Sequence, residues 1–425
     1  MARQTMYRLS NPLHDYAWGS SEAIFTHFSW PPTGRPAAEL WLGAHSASPS
    51  LAQANDVLPD AWPDALALPE TLPSHMSGVP LGELIKSDPH FMLGENTESE
   101  FGPRLPYLLK VLAADQPLSL QVHPKPHIAR AGFARENLLG VPLTSPDRTY
   151  KDDQHKPEMI LALTPFEGLC GFRRPQRIIN LLDDVAGQTV QRMRELLLAQ
   201  PNYRGVEQAF SHALALRGTD CVRELAETRE SIQKIVDERV ALGERVSRGY
   251  RTALELFARY PEDPGALVSL MLNRFSLEPG QAVFLQSGQV HAYLHGLGVE
   301  IMASSDNVLR AGLTPKKVDI PELLVCTDFA PAPPMRPALR AGTGGLTEYR
   351  PGIAEFSLMY GAVEQSALVP HAGPRIVMCL SGSLEVTSPL GPLGKLTAGQ
   401  SAFVPHAMGH IGLHGSGNVV VAFVP

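Results

Sequence analysis

At 425 residues the chain exceeds what one ordinary hydrophobic core organises, so two or three domains are expected. Its 44% apolar and 19% charged content fits a globular protein and excludes a disordered one. A formal charge of −7 gives no support to binding nucleic acid or an anionic membrane, and no apolar run is long enough to cross a bilayer. The four cysteines, Cys170, Cys221, Cys326 and Cys379, are scattered without a CxxC pair. That argues against a disulfide framework, and with no apolar leader at the N-terminus it points to a reducing, cytoplasmic setting.

In chain order, Tyr16-Ala-Trp-Gly19 and Ala38-Glu-Leu-Trp-Leu-Gly43 come first, the second alternating as a strand does. Trp18 and Trp41 are read as core or pocket wall. Residues 51–100, rich in Pro, Ala and Asp, predict loops with one short helix around Leu81 to Ser87. Leu105 to Leu112 reads as a buried strand. The next strand, Leu118 to Pro124, sets Ser119, Gln121 and His123 on one face and Leu118, Leu120 and Val122 on the other. Three adjacent polar side chains need partners if their face is buried; a solvated face is the simpler alternative. Residues 127–150 predict a helix and then a loop. His155-Lys-Pro-Glu158 opens another apolar strand, Met159 to Leu163, so Glu158 can share the cavity of His123.

From about Pro175 the apolar period changes from 2 to 3.6, giving a helical insert of roughly a hundred residues. Val240 and Leu242 fall on its apolar stripe, while Arg223, Glu224, Glu227 and Glu230 predict a solvated face. Strands return at Gln281 to Gln286, turn at Ser287-Gly288 and lead to His291 and the alternating Gly298-Val-Glu-Ile-Met302. The polar loop Ser304 to Asn307, then Arg310, Lys316 and Lys317, complete a stretch holding an imidazole, two carboxylates and three cations. Lys317 is read as a surface cation. The prolines between Thr327 and Pro337 mark a semi-rigid linker, and residues 345–425 read as strands with Gly turns.

Leu277 to His291 aligns without gaps to Leu396 to His410, sharing Leu, Gly, Gln, Phe and His. A repeated strand–turn–strand unit predicts two related β-barrels. The second copy lacks a Gln-x-His pair and any counterpart of Glu158, so it is read as degenerate and structural despite His371, His406 and His410. Gln121, His123, Glu158 and His291 together form a donor set suited to Zn²⁺, with Mn²⁺, Fe²⁺ or Co²⁺ as alternatives.

These strings, together with Leu105-Pro-Tyr-Leu-Leu-Lys110, His291-Ala-Tyr-Leu294 and Ser305-Asp-Asn-Val-Leu-Arg-Ala-Gly-Leu-Thr-Pro-Lys316, resemble the type I phosphomannose isomerases of the cupin superfamily. The match runs in order over residues 16–317. The resemblance implies a mainly β protein with an α-helical insert: a cupin-type β-barrel (jelly roll) catalytic domain at 1–174 and 265–328, a helical domain at 175–264, and a degenerate cupin-like barrel at 338–425. It implies one Zn²⁺ per chain on Gln121, His123, Glu158 and His291, with Arg310 as the catalytic arginine. Ser119, Lys156, Glu300, Asp306 and Lys316 would line the pocket, with Trp18 at the substrate. The expected partner is a sugar phosphate, with no nucleic acid or membrane, the protein acting as a monomer in carbohydrate metabolism leading to GDP-mannose.

Moving a proton between C1 and C2 of a sugar needs a base near both carbons, a stabilised oxyanion and a grip on the phosphate. His155, Lys156, Glu300, Asp306 and a water on the metal are candidate bases; Glu300 and Asp306 are favoured because they lie between His291 and Arg310. A different metal-dependent cupin enzyme, such as an Fe²⁺ oxygenase, and a non-catalytic sugar-phosphate sensor are the alternatives.

Overall fold

The computed structural model describes residues 5–54, 78–316 and 318–425. Lys317 and the loop expected over 55–77 lie outside the described residues. The expected strands form at Tyr107–Ala114, Leu120–Val122, Glu158–Ala162 and Ala282–Leu285, and a 13-residue strand, His291–Ala303, carries Gly298 to Met302. One strand begins earlier than expected, at Leu272–Leu277. The helix at Leu81–Ser87 forms, followed by two further short helices, Pro89–Leu93 and Glu95–Phe101, that periodicity did not reveal. Asp88 caps the first of these by accepting from Phe91 N.

Among the described residues the strands make two sheets. The first is built around His291–Ala303, which pairs antiparallel with Tyr107–Ala114 on one side and Glu158–Ala162 on the other. The second holds the C-terminal strands, with Ile411–Phe423 paired along Arg375–Ser388. The pairings close neither sheet into a ring. Tyr7–Ser10 pairs with Ser401–Val404 and with Leu51–Ala54, so the second sheet takes strands from both ends of the sequence.

Alternation gives the central strand two faces. Leu109, Val111, Met159, Leu161, Val299 and Ile301 point to a core shared with Ile376, Met378, Val420, Ala422 and Phe403, which joins the two sheets back to back. On the opposite face, Leu112, Leu118, Ile160, Cys170, Phe275, Val283 and Tyr293 form a smaller apolar plug. The polar residues of the site lie on this second face, beyond the plug.

The insert folds as five main helices: Pro175–Leu182, Gln188–Ala199, Tyr203–Leu214, Gly218–Ala241 and Arg248–Arg259. Their apolar stripes pack with Leu120, Val122, Leu169 and Phe172 of the first sheet. Two side-chain expectations fail here. Glu224 is buried, because its carboxylate accepts from Thr189 N at the start of the neighbouring helix and satisfies an otherwise orphaned donor. Val240 and Leu242 are exposed, because Gly218–Ala241 outruns the bundle at its C-terminal end.

The 277–291 and 396–410 repeat has a structural counterpart in Ala282–Leu285 with His291–Ala303, and Ser401–Val404 with Ile411–Phe423. The shared histidine diverges. His291 is buried, whereas His410 follows a short 3-10 turn, His406–Met408, and is exposed.

Candidate metal centre

Three elements bring three donors to one point. His123 follows Leu120–Val122, Glu158 begins Glu158–Ala162, and His291 begins the central strand. They are 2%, 3% and 1% exposed, and their donor atoms all lie within 4.8 Å of one another. A carbonyl can only accept, so each histidine's tautomer follows from its neighbour. His123 Nδ1 donates to Asn307 O at 2.6 Å, and His291 Nδ1 donates to Gln289 O at 2.9 Å. Both Nε2 atoms therefore carry lone pairs toward Glu158, 3.2 Å from Oε1 and 3.3 Å from Oε2.

Neither Nε2 makes a hydrogen bond, although both are buried. Two orphaned nitrogens converging on one carboxylate are what a divalent metal requires, so the residues fit such an ion. Burial holds the His123 imidazole down to about 4, which keeps it neutral. Burial opposes ionisation of Glu158, yet Lys156 Nζ at 3.1 Å holds it well below the usual carboxylate range. Gln121 sits directly opposite both His291 and Arg310 in the strand register, and directly opposed antiparallel residues share a face.

Gly288, at φ +94°, makes the turn that delivers His291. Its N–H donates to His123 O at 2.7 Å, and a Cβ there would come within 2.9 Å of Lys125 Cε.

Register also explains a second buried cluster. Trp41, Lys110 and Glu300 are directly opposed across three neighbouring strands. Lys110 Nζ lies 3.1 Å from Glu300 and 3.5 Å from Glu39, and 4.8 Å from the Trp41 ring centre. Tyr293 OH donates to Glu300 at 2.8 Å, and Trp41 Nε1 to Glu39 at 2.7 Å. Burial alone would lower the ammonium's pKa; the two carboxylates raise it above the ordinary lysine range. Glu300 is pushed up by burial, with Lys110 opposing.

From this cluster an aromatic row, Trp18, Tyr16, His14, Trp41 and His45, runs ring against ring to the Asp306 loop. His45 Nε2 donates to Asp306 at 2.9 Å and keeps that carboxylate ionised below its usual range. A cleft of about 500 Å³ opens beside this pair, lined also by Lys86, Arg104, Lys151 and Ser305.

The structure thus brings Gln121, His123, Lys156, Glu158, His291 and Arg310 together, with Glu300 on the same sheet face and Asp306 at the cleft. Arg310 is half-buried, and no carboxylate among the described residues pairs with it. Ser119 is half-buried, Trp18 packs on the apolar plug and Lys316 is exposed. His155 stands apart. It precedes the strand that Glu158 opens, and its Nε2 donates to Glu355. The sequence reading missed Lys110, Glu39, Tyr293, His45, Asp152 and Asn307. Lys110 and Glu39 stood inside quoted motifs, but only strand register shows that they meet.

A buried two-histidine, one-carboxylate group on two packed sheets with a helical insert fits a protein that holds a single metal ion. Residues 6–175 match the catalytic domain of phosphomannose isomerase type I. The chain is 35% identical over 404 residues to the mannose-6-phosphate isomerase of Escherichia coli K12, covering 94% of each. It is 32% identical over 418 residues to that of Bos taurus, covering 92% of this chain and 90% of the relative. A crystal structure of a mutant phosphomannose isomerase from Salmonella typhimurium superposes with a TM-score of 0.85 at 32% identity, covering 99% of both chains. A mannose 6-phosphate isomerase bound with zinc and yttrium gives 0.83 at 31% identity, covering 99% of each. The chain belongs to the type I phosphomannose isomerase family.

Proposed function

We propose that this protein interconverts mannose 6-phosphate and fructose 6-phosphate by proton transfer between C1 and C2, using one zinc ion held by Gln121, His123, Glu158 and His291. The observation that carries the reading is the pair of orphaned Nε2 atoms facing Glu158 within a chain that matches a mannose-6-phosphate isomerase over 94% of its length. Zinc bound there supplies electrostatic stabilisation of the oxyanion on the sugar, worth several kcal/mol in such sites.

The chain's own groups do the rest. Arg310, opposite Gln121 and without a carboxylate partner among the described residues, offers a fork of donors to phosphate or sugar oxygens, and Lys316 supplies a point charge at the exposed rim. Lys156 keeps Glu158 ionised and reaches the same cavity. Ser119 and the Trp18 row line the path of the sugar. Glu300 or Asp306 takes the proton. Burial tunes Glu300 upward toward the range a base needs, while His45 presents an ionised Asp306 at the cleft. His155, tied to Glu355, has a positioning role between the two sheets.

We further read the two sheets as divergent cupin-type barrels within a monomer, the second serving to cover the first. Among the described residues no helix is long and apolar enough to cross a membrane. Four unpaired, buried cysteines support the cytoplasmic setting.

Turnover of mannose 6-phosphate in D₂O tests the chemistry. Deuterium appearing at C1 of fructose 6-phosphate supports proton transfer through an enediolate. Product formed with no deuterium at any pH argues for an internal hydride shift.

A further inference from the structure

The loop Ser305-Asp306-Asn307 is held by one carboxylate from a distant part of the chain. Asp152 Oδ1 accepts from Ser305 Oγ at 2.8 Å, Gln154 N at 2.9 Å and Asn307 Nδ2 at 3.1 Å. Its Oδ2 accepts from Asp306 N at 2.8 Å. Asn307 is fully buried and its amide is used up. Oδ1 accepts from Lys151 N at 2.8 Å, and Nδ2 also donates to the carbonyls of Asp152 and Gln154 at 2.9 and 2.8 Å. The backbone oxygen of that same Asn307 receives the His123 Nδ1 proton. The next residue back, Asp306, holds His45 at the cleft.

We propose that Asp152, acting through Asn307, is a positioning residue that sets the tautomer and angle of the metal ligand His123 and fixes Asp306 at the cleft. The inference rests on the metal centre proposed above. An amide in place of this carboxylate keeps one acceptor oxygen and sets its N–H group against either the Asp306 N–H or the three donors on Oδ1, so at least one bond is lost and two donors oppose each other. Freed from Asp152, the loop no longer fixes the Asn307 carbonyl, and His123 loses the partner that aims Nε2 at Glu158. Outer partners of this kind change metal affinity by about 10–100-fold.

The test is zinc affinity of the full-length protein, measured by competition with a chromophoric chelator, together with the visible spectrum of the cobalt(II) form. The wild type must bind one zinc, and Glu158→Gln must lose it; failure there overturns the metal centre itself. Given that binding, Asp152→Asn and Asn307→Asp are each expected to weaken zinc by about 10–100-fold and to alter the cobalt spectrum. Asp153→Asn, an exposed neighbour whose carboxylate makes no bond to Asp152 or to the 305–307 loop, should do neither. Ser305→Ala, which removes one of the four bonds and also the acceptor of the Asn307 N–H at 3.2 Å, should weaken zinc by about fivefold or more. It decides the matter if the other two variants do not fold. Zinc affinity within twofold of wild type in Asp152→Asn, or in Ser305→Ala where Asp152→Asn does not fold, overturns the proposal.

Discussion

Replacing Lys110 with methionine tests the buried cluster most severely. Met keeps most of the stem packed against Trp41 but removes the ammonium between Glu39 and Glu300. At 3.1 and 3.5 Å, with an effective dielectric of ~20, each contact is worth about 5 kcal/mol of gross attraction. Desolvating three charged groups offsets most of this, so the net loss on removing one partner is expected at about 3–5 kcal/mol. Urea unfolding of the chelated protein, read by circular dichroism, measures it. The double variant Lys110→Met/Glu300→Gln should recover part of the loss, because the strandedness of a buried charge is then relieved. The same change carries a pH signature. Lys110 holds Glu300 down against the upward push of burial, so without it Glu300 ionises only at higher pH. If Glu300 is the base, the acidic limb of kcat/KM moves upward. A loss below ~1 kcal/mol with no rescue in the double variant would refute the reading of this cluster as a compensated ion network.

Three other outcomes follow. Glu300→Gln or Asp306→Asn should lower kcat by about 10²–10⁴-fold, the usual share of a general base; losses under tenfold in both would remove the two from the proton path. Arg310→Lys keeps the charge but loses the planar fork, so kcat/KM for mannose 6-phosphate should fall by about tenfold or more, and near-equality with wild type would return Arg310 to a bystander. His27 Nε2 is buried without a partner, and burial lowers its pKa below 6.5. The unfolded chain then binds the proton more readily, so stability is complete above about pH 6.5 and declines as the pH falls below it. Melting temperature followed from pH 7.5 to 5 should show a shallower decline in His27→Gln; identical slopes would show that His27 contributes nothing.

The proposed metal donors can be read from sequence because each is local to a strand: Gln121-x-His123 shares one face, Glu158 opens a strand, and His291 follows a turn that needs Gly288. The helical insert was legible because its period of 3.6 contrasts with the strands around it. Pairing partners were not. Lys110 reads as one more residue of a buried strand until register sets it opposite Trp41 and Glu300. Tyr7–Ser10 gives no hint that its neighbour is Ser401–Val404, since strand alternation marks faces and says nothing about which edge is met. Glu224 looked solvated because a single helix face cannot show the helix start that it caps. Asp152 was silent because its role is to receive backbone and side-chain donors from a loop about 150 residues later, a contact with no periodicity.

The most direct test of the central claim is a coupled assay converting mannose 6-phosphate to fructose 6-phosphate, run on the protein as purified, after chelation and after zinc is restored. The account predicts activity that disappears with the metal and returns with it, and that Glu158→Gln cannot regain. A folded, zinc-loaded sample that turns over no mannose 6-phosphate, or one whose activity survives complete removal of the metal, would contradict it.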